Sequence, residues 1–176
     1  MWILFTKWNV FERRSTPRGV FMIKVTCFGP RGSIPAPSSA GRNGSPPFLT
    51  IEFGGNTSCY YVEAGPFRVI LDNGSGCRVL GNKLMTDKVI GKHFVNLLSH
   101  YHWDHVQGLP FCVPYFIAAN TFHIHGHRPI SRDNPSFVTQ AVEQALSEQQ
   151  ATPHFPVGHG SLPAKRFYHS HLAQFS

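Results

Sequence analysis

The sequence predicts a mixed α/β (α+β) domain, and three observations support this. A chain of 176 residues with 41% hydrophobic and 14% charged residues is long enough to bury a core and too apolar for a disordered protein. Short apolar or alternating segments, bounded by glycine and proline, predict strands. After Asn134-Pro135, apolar residues recur at helical spacing, which predicts an amphipathic helix packed on a sheet.

The domain is predicted to span residues 22–176, following an N-terminal extension at 1–21 that we expect to be loosely ordered. Met22 opens directly into an alternating segment typical of a strand, at 23–28. The extension has no such pattern, and we expect its deletion to leave the melting temperature nearly unchanged.

The first half of the domain reads as strands joined by turns, with one helix. Residues 30–47 are rich in glycine, proline and serine, so this loop either borders an active site or is a plain surface loop. Asp72 ends a strand and precedes a tight glycine turn. The elements predicted here are strands at 49–53, 57–63 and 67–71 and a helix at 77–85.

The second half begins with an apolar segment typical of a buried strand. Pro110 limits a short helix, and Asn134-Pro135 is a suitable helix start. The elements predicted here are strands at 94–98, 121–125 and 165–175, helical segments at 106–109, 114–119 and after Asn134, and a loop at 153–163.

The main candidate site is the segment 99–105, Ser-His-Tyr-His-Trp-Asp-His, which follows the strand at 94–98. His100 and His102 project from the same side of extended backbone, so their imidazoles can hold one cation. Asp104 and His105 lie past the turn and can hold a second. Nitrogen ligands with a carboxylate favour zinc, and manganese, iron or cobalt also fit the ligand types.

The alternative is that Asp104 caps the short helix that Pro110 limits, with the histidines as polar loop residues. Capping explains Asp104 but leaves three clustered histidines unexplained. We therefore prefer the metal interpretation.

This motif resembles the signature of the metallo-β-lactamase-fold hydrolases. Further segments resemble the phosphodiesterase-like branch related to ribonuclease Z and to the cyclic phosphodiesterase of phosphonate metabolism, over roughly residues 22–167. The matching segments are Gly-Ser-Ile-Pro at 32–35, Gly-Gly-Asn-Thr-Ser-Cys at 54–59, Leu-Asp-Asn-Gly-Ser-Gly at 71–76 and Gly-Leu-Pro-Phe at 108–111.

The resemblance implies an αββα sandwich, of which this chain supplies mainly the N-terminal half. It also implies a dinuclear zinc site that cleaves phosphodiesters through a metal-activated hydroxide. His100 and His102 hold one metal in this scheme, and Asp104 and His105 hold the other. Asp104 additionally orients the water or accepts its proton, as the catalytic residue.

Three further residues are implied in supporting roles near the metals: Asp72, Asn56 and Thr57. A carboxylate behind a ligand histidine orients it and raises its basicity. Asp72 also fits an Asx-turn residue that binds its own backbone, and the two roles are compatible.

The family site also needs a bridging aspartate and two later histidines, yet no aspartate follows Asp133. His154, His159, His169 and His171 lie downstream without family context. The alternatives to a phosphodiesterase are therefore a truncated, catalytically inactive metal-binding fragment, or a hydrolase of thioester or other ester substrates.

Three more histidines alternate along the predicted strand at 121–125 and the turn after it. His123 and His125 face opposite to Phe122 and Ile124, so an exposed polar face explains them more simply than a metal site. His127 follows at the same spacing.

Sixteen Lys and Arg against nine Asp and Glu give a net charge of +7, which favours an anionic partner such as a phosphodiester, a nucleotide or RNA. A pure nucleic-acid binder is a third interpretation, which ranks after the hydrolase and the inactive fragment. The exposed inner face of a half-sandwich would favour a homodimer.

The four cysteines, which show no C-x-x-C pairing, are predicted to be buried reduced thiols. No apolar segment is long enough to span a membrane or suits a signal peptide, so we expect no membrane partner and a cytoplasmic location.

Overall fold

The computed structural model describes residues 3–6, 9–16, 19–36, 54–127 and 142–171. They form a mixed α/β fold around one eight-stranded sheet, in which the order of the strands follows the order of the chain. The strands are β1 (Ile3–Thr6), β2 (Asn9–Thr16), β3 (Gly19–Gly29), β4 (Cys59–Ala64), β5 (Phe67–Leu71), β6 (His93–Leu97), β7 (Thr121–His127) and β8 (Lys165–His171). The helices are α1 (Gly76–Thr86), α2 (Trp103–Val106) and α3 (Val142–Gln149).

The sheet changes from antiparallel to parallel at β5. Strands β1 to β5 pair antiparallel with their neighbours, whereas β5 to β8 pair in parallel. Parallel neighbours need a crossover connection, and α1 lies in the connection between β5 and β6. The predicted mixed α/β class is therefore confirmed.

One face of the sheet carries the hydrophobic core. A row of paired residues crosses this face from β4 to β8, and most of its members are buried with side chains of α1 and α3 in one cluster. The row consists of Tyr61, Ile70, Asn96, Ile124 and Tyr168.

The opposite face carries two neighbouring rows that are only half-buried or exposed, and no described helix packs against it. These rows are Val62, Val69, Val95, His123 and Phe167, and Tyr60, Leu71, Leu97, His125 and His169. Leu97 is 40% and Phe167 50% exposed, so apolar surface of the described chain remains in contact with solvent here.

Most predicted elements occur within one or two residues of their expected bounds. The strand at 67–71 is β5, the helix at 77–85 is α1, and the strand at 121–125 is extended by two residues in β7. The helical segment predicted at 114–119 is only a 3-10 turn at Val113–Phe116, and the loop at 153–163 contains another such turn at His159–Ser161.

The short helix after the metal motif begins earlier than predicted. The prediction placed it at 106–109, whereas α2 begins at Trp103, and Leu109–Phe111 form a separate 3-10 turn that contains Pro110. Proline is tolerated in a first turn, where its missing N–H has no partner to lose. Asp104 and His105 therefore lie inside α2.

Several expectations fall on residues outside the described ranges. These are the strand at 49–53, most of the loop at 30–47, the start of the helix after Asn134 and the last residues of the final strand. Strands β1 and β2 lie in the predicted extension, whose dispensability stays a prediction.

The predictions about the cysteines and about membrane-spanning segments can be compared with the described residues. The cysteines are free thiols, and Cys59, Cys77 and Cys112 are fully buried while Cys27 is half-buried. Among the described helices, none has the length and hydropathy that a membrane span requires.

Candidate metal centre

The site lies where β5 and β6 end. Because these strands are parallel and adjacent, their carboxyl ends meet at the same edge of the sheet. Asp72 follows β5, and Ser99 begins the segment 99–105 after β6, which we call the histidine loop. The Asp72 N–H donates to the Leu97 carbonyl at 2.9 Å, which joins the two strand ends.

Asp72 is a buried carboxylate at the base of the histidine loop. Its two oxygens accept hydrogen bonds from the Ser99 N–H at 2.8 Å, the Ser99 hydroxyl at 2.9 Å and the Ser58 hydroxyl at 3.0 Å. The His105 Nδ1 lies 2.7 Å from the second oxygen. Asp72 has a φ of 58°, and these bonds hold it in a left-handed conformation that aspartate tolerates better than most residues.

These contacts fix the proton on two imidazoles. A carboxylate only accepts, so His105 must carry a proton on Nδ1, while its Nε2 lies 3.3 Å from the Asp104 Oδ2. The Ser99 hydroxyl donates to Asp72, so it can only accept from the His100 Nδ1 at 3.1 Å. His100 therefore presents a free Nε2, the state in which an imidazole binds a metal.

Asp104 faces His105 from the first turn of α2. Its Oδ2 lies 3.3 Å from the His105 Nε2, and two zinc ligands at the corners of a tetrahedron are separated by about 3.3 Å. The Ser33 N–H donates to the same oxygen at 2.7 Å, so the described start of the loop at 30–47 does border this site.

The charge of Asp104 is maintained by its neighbours. Burial raises the pKa of the Asp104 carboxyl. The Ser33 hydrogen bond and the nearby His105 lower this pKa by more, so the net pKa lies below its ordinary value. Burial lowers the pKa of His100, and His105 and His102 lower it as well. At neutral pH the site thus holds a carboxylate and a neutral imidazole, which are the ligand forms.

The remaining histidine contacts are ring contacts. His100 and His102 have ring centroids 4.5 Å apart, and His100 and His105 have centroids 4.0 Å apart. Among the residues that the structure describes, no group of three His, Cys, Asp or Glu side chains closes on one cation position. The donor types and the free Nε2 of His100 fit a metal, but the described ligands supply a pair, His105 and Asp104, and not a closed cage.

A backbone crossing supports the histidine loop from below. The Asn73 N–H donates to the His105 carbonyl, and the Gly108 N–H donates to the Asn73 carbonyl, both at 2.7 Å. A Cβ on Gly108 would lie 1.9 Å from the Gly74 carbonyl oxygen, and one on Gly74 would lie 2.2 Å from the Asp104 carbonyl oxygen. Two segments cross here with space for glycine only.

Buried amides anchor the same turn. Asn73 donates to the Asn96 side-chain oxygen at 2.6 Å, and the Tyr115 hydroxyl donates to that oxygen at 2.7 Å. Asn96 in turn donates to the Ile70 carbonyl at 3.2 Å. Fully paired buried amides rigidify the turn that places Asp72.

Asn56 and Thr57, which the resemblance places in supporting roles, contact the turn and not the histidines. Ser75 donates its N–H to the Thr57 hydroxyl at 2.8 Å and its hydroxyl to the Asn56 side-chain oxygen at 3.0 Å. Gln107 donates to the Thr57 hydroxyl at 3.1 Å. These contacts connect the turn after β5 to the end of α2.

A second group of histidines lies on the sheet face that no described helix covers. In β7 and β8 the rings stack alternately, with His123 and His169 at 5.4 Å, His125 and His169 at 4.3 Å, and His125 and His171 at 5.3 Å between centroids. We call this group the histidine column, and it consists of His123, His125, His169 and His171.

The sequence prediction missed the hydroxyls that complete the site. Ser99 and Ser58 bind Asp72, yet neither was proposed as a site residue. Ser99 directly follows the strand and precedes His100, which is a detectable position. Ser58 reaches Asp72 only because β4 pairs with β5, and no local pattern reveals that pairing.

A cleft of about 380 Å³ lies beside the histidine loop, between α2 and α3. Trp103 projects next to it and is 63% exposed. The cleft is lined by Tyr101, Trp103, Val106, Leu146 and Gln149, among others.

Comparison with known proteins yields two curated relatives. The chain is 31% identical over 110 residues to the lactamase-like protein nscB of Neosartorya fischeri, which covers 58% of this chain and 32% of that protein. It is 31% identical over 113 residues to the lactamase-like protein vrtG of Penicillium aethiopicum, with 58% and 35% covered. The chain thus spans about a third of the length of these relatives.

A solved structure is also similar. It is the metallo-β-lactamase fold protein YhfI from Bacillus subtilis, at 21% identity and a TM-score of 0.45, covering 82% of this chain and 44% of that one. No family model matches the chain. The lactamase-like relatives support the predicted metallo-β-lactamase fold and a hydrolase-like family.

Proposed function

We propose that this chain carries part of the metal site of a dinuclear zinc hydrolase that cleaves phosphodiester bonds. The observation that supports this most directly is the arrangement of Asp72 and Ser99, which bind the Nδ1 atoms of His105 and His100 and leave the Nε2 atoms to act as ligands. His100 and His102 would hold one ion, and Asp104 and His105 the other. When bound, such ions would lower the pKa of water from 15.7 to about 7 and stabilise the negative charge on the attacking and leaving oxygens.

The residues of the chain then have separate tasks. Asp72 holds His105 by Nδ1 and, through Ser99, orients His100. Asp104, kept ionised by the Ser33 N–H, is the group that orients a nucleophilic water or accepts its proton. The net charge of +7 favours an anionic phosphodiester over a neutral substrate.

A second candidate is hydrolysis of an ester, thioester or lactam carbonyl. It is favoured by the relatives, which are named lactamase-like. Metal-dependent attack on a carbonyl uses the same ligand types, so the distinction depends on substrate tests.

The test begins with zinc content per chain and continues with hydrolysis of bis(4-nitrophenyl) phosphate and of a chromogenic cephalosporin. The variant is His100→Ala/His102→Ala, and the matched control is His93→Ala/His154→Ala, which removes two exposed histidines elsewhere. We expect zinc and phosphodiester hydrolysis to be lost in the first variant and retained in the second.

Each other result has a defined meaning. Cleavage of the cephalosporin alone would replace the phosphodiester proposal with the carbonyl one. Zinc bound at the histidine loop without hydrolysis of either compound would identify this chain as an inactive metal-binding fragment. Zinc content that is equal in both variants would overturn the metal site itself.

A further inference from the structure

We propose that the outer pair of the histidine column, His125 and His171, is a binding site for a late first-row divalent cation, with Cu²⁺ bound most tightly. The site is separate from the histidine loop and does not depend on the function proposed above. It would hold its cation through two imidazole nitrogens and leave the other coordination positions to water or to an added ligand.

The nitrogen geometry is the first argument. The His125 Nδ1 lies 3.0 Å from the His171 Nε2, and the inner pair, His123 Nδ1 and His169 Nε2, is 3.1 Å apart. Two imidazoles that bind one metal at about 2.0–2.1 Å have nitrogens about 2.9 Å apart at a right angle and about 3.3 Å apart in a tetrahedron. The nitrogens are therefore spaced as two imidazole ligands of one cation are, and the rings would turn so that both lone pairs point at the cation that replaces the shared proton.

The sheet register is the second argument, because it makes the pair rigid. In the parallel pairing of β7 and β8, His125 lies opposite His169 and His127 opposite His171. His169 stacks on His125 with ring centroids 4.3 Å apart, and this stacking holds the His125 ring in place. A site on paired strands loses little conformational freedom when the cation binds.

Access separates the outer pair from the inner one. His171 is exposed and His125 half-buried, whereas His123 stacks on Phe167 at 5.0 Å as well as on His169. A cation with its remaining water ligands therefore reaches the outer pair more easily.

The chemistry of the donors identifies the class of cation. Neutral imidazole suits copper, nickel and zinc, and affinity for such sites rises along the series to Cu²⁺ and falls at Zn²⁺. No carboxylate contacts a column imidazole within the part of the chain that the structure describes. A hard cation such as Mg²⁺ or Ca²⁺ would find no oxygen ligand there.

The experiment titrates the full chain with Cu²⁺ in the His100→Ala/His102→Ala/His105→Ala background, so that no imidazole of the histidine loop contributes. Electron paramagnetic resonance counts the nitrogen donors, and the melting temperature is measured with and without the ion. His171→Gln removes one ligand of the outer pair, while His123→Gln, the matched control, changes the inner pair only.

We expect one equivalent of Cu²⁺ with two nitrogen donors, a raised melting temperature, and at least tenfold weaker binding in His171→Gln but not in His123→Gln. Equal loss in both variants would overturn the assignment to the outer pair. Unchanged binding in both would overturn the column as a site. Because the imidazoles of the histidine loop are absent from this background, these results are independent of whether the loop binds zinc or supports hydrolysis.

Discussion

Two groups of histidines lie near each other on one sheet, and they are organised differently. In the histidine loop, a carboxylate and a hydroxyl orient the imidazoles, since Asp72 binds His105 and Ser99 binds both Asp72 and His100. In the histidine column, the described contacts of the rings are with each other and with Phe167. Residue type is the same in both, and the partners differ.

The difference teaches what a cluster of histidines needs in order to be built for a metal. Oxygen partners fix the tautomer and raise ligand basicity, and they do so in the loop before any metal arrives. In the column, the two imidazoles of each pair share one proton, and no oxygen partner is described for them. The relative positions of their nitrogens follow from the register of β7 against β8. The loop is therefore predicted to be the stronger zinc site and the column the more exchangeable one.

The largest expected effect is a loss of stability when the backbone crossing under the histidine loop is disrupted. Gly108→Ala places a Cβ 1.9 Å from the Gly74 carbonyl oxygen, so the two crossing segments must separate. We expect the free energy of unfolding to fall by more than about 3 kcal/mol, measured by urea denaturation. Gly160→Ala is the control, because a Cβ there has no atom within 4 Å. Equal stability of the two variants would show that the crossing does not constrain the loop.

The second prediction is a pH dependence of stability. It comes from His159, a buried histidine that belongs to neither group. His159 lies 2.8 Å from the Gln150 amide and 2.7 Å from the Tyr168 hydroxyl, and it is 2% exposed. Burial, and then the nearby Arg166, lower the pKa of His159 to about 4.

Because the folded pKa is depressed below the unfolded value near 6.5, the unfolded chain binds the extra proton first. The stability that neutral His159 contributes is present above pH 6.5 and is lost as the pH falls towards 4, by roughly 3 kcal/mol at most. The measurement is urea denaturation between pH 7 and pH 4.5, for the native chain and for His159→Gln. We expect a shallower fall in the variant, and identical slopes would contradict the assignment.

The smallest effect tests the carboxylate behind the loop. Asp72→Asn keeps the shape but removes the charge that binds the His105 Nδ1 proton, so we expect zinc affinity at the loop to fall about 10- to 100-fold. Chelator competition measures this, and Asp87→Asn at the exposed end of α1 is the matched control. The Cu²⁺ affinity of the column should not change. A parallel loss at both sites would mean that Asp72 acts through the fold and not through His105.

Local patterns predicted much of the fold. Strand β5 and helix α1 were predicted to within a residue or two at each end, because turn residues flank β5 and a tight glycine turn precedes α1. The start of α2 was missed because Trp103 carries no side-chain cap signal, and the described helix has no cap hydrogen bond from His102.

The site was predictable only in part, for a physical reason. The spacing of His100, His102, Asp104 and His105 is local and visible, whereas the bond from Ser58 to Asp72 depends on a strand pairing. The histidine column depends on the register of β7 against β8. In the sequence, α3 and its connections separate these two strands. The prediction that His123 and His125 form a polar face of β7 agrees with the described strand, but their pairing with β8 was not foreseen.

The order of the strands has a consequence for synthesis. Because each strand pairs with the one made just before it, the sheet can grow as the chain leaves the ribosome, without waiting for distant partners. Asp72 and His105 can meet once β6 and the histidine loop have emerged, whereas the column lacks half of its histidines until β8 follows. The order of the strands thus allows the histidine loop to assemble before the histidine column.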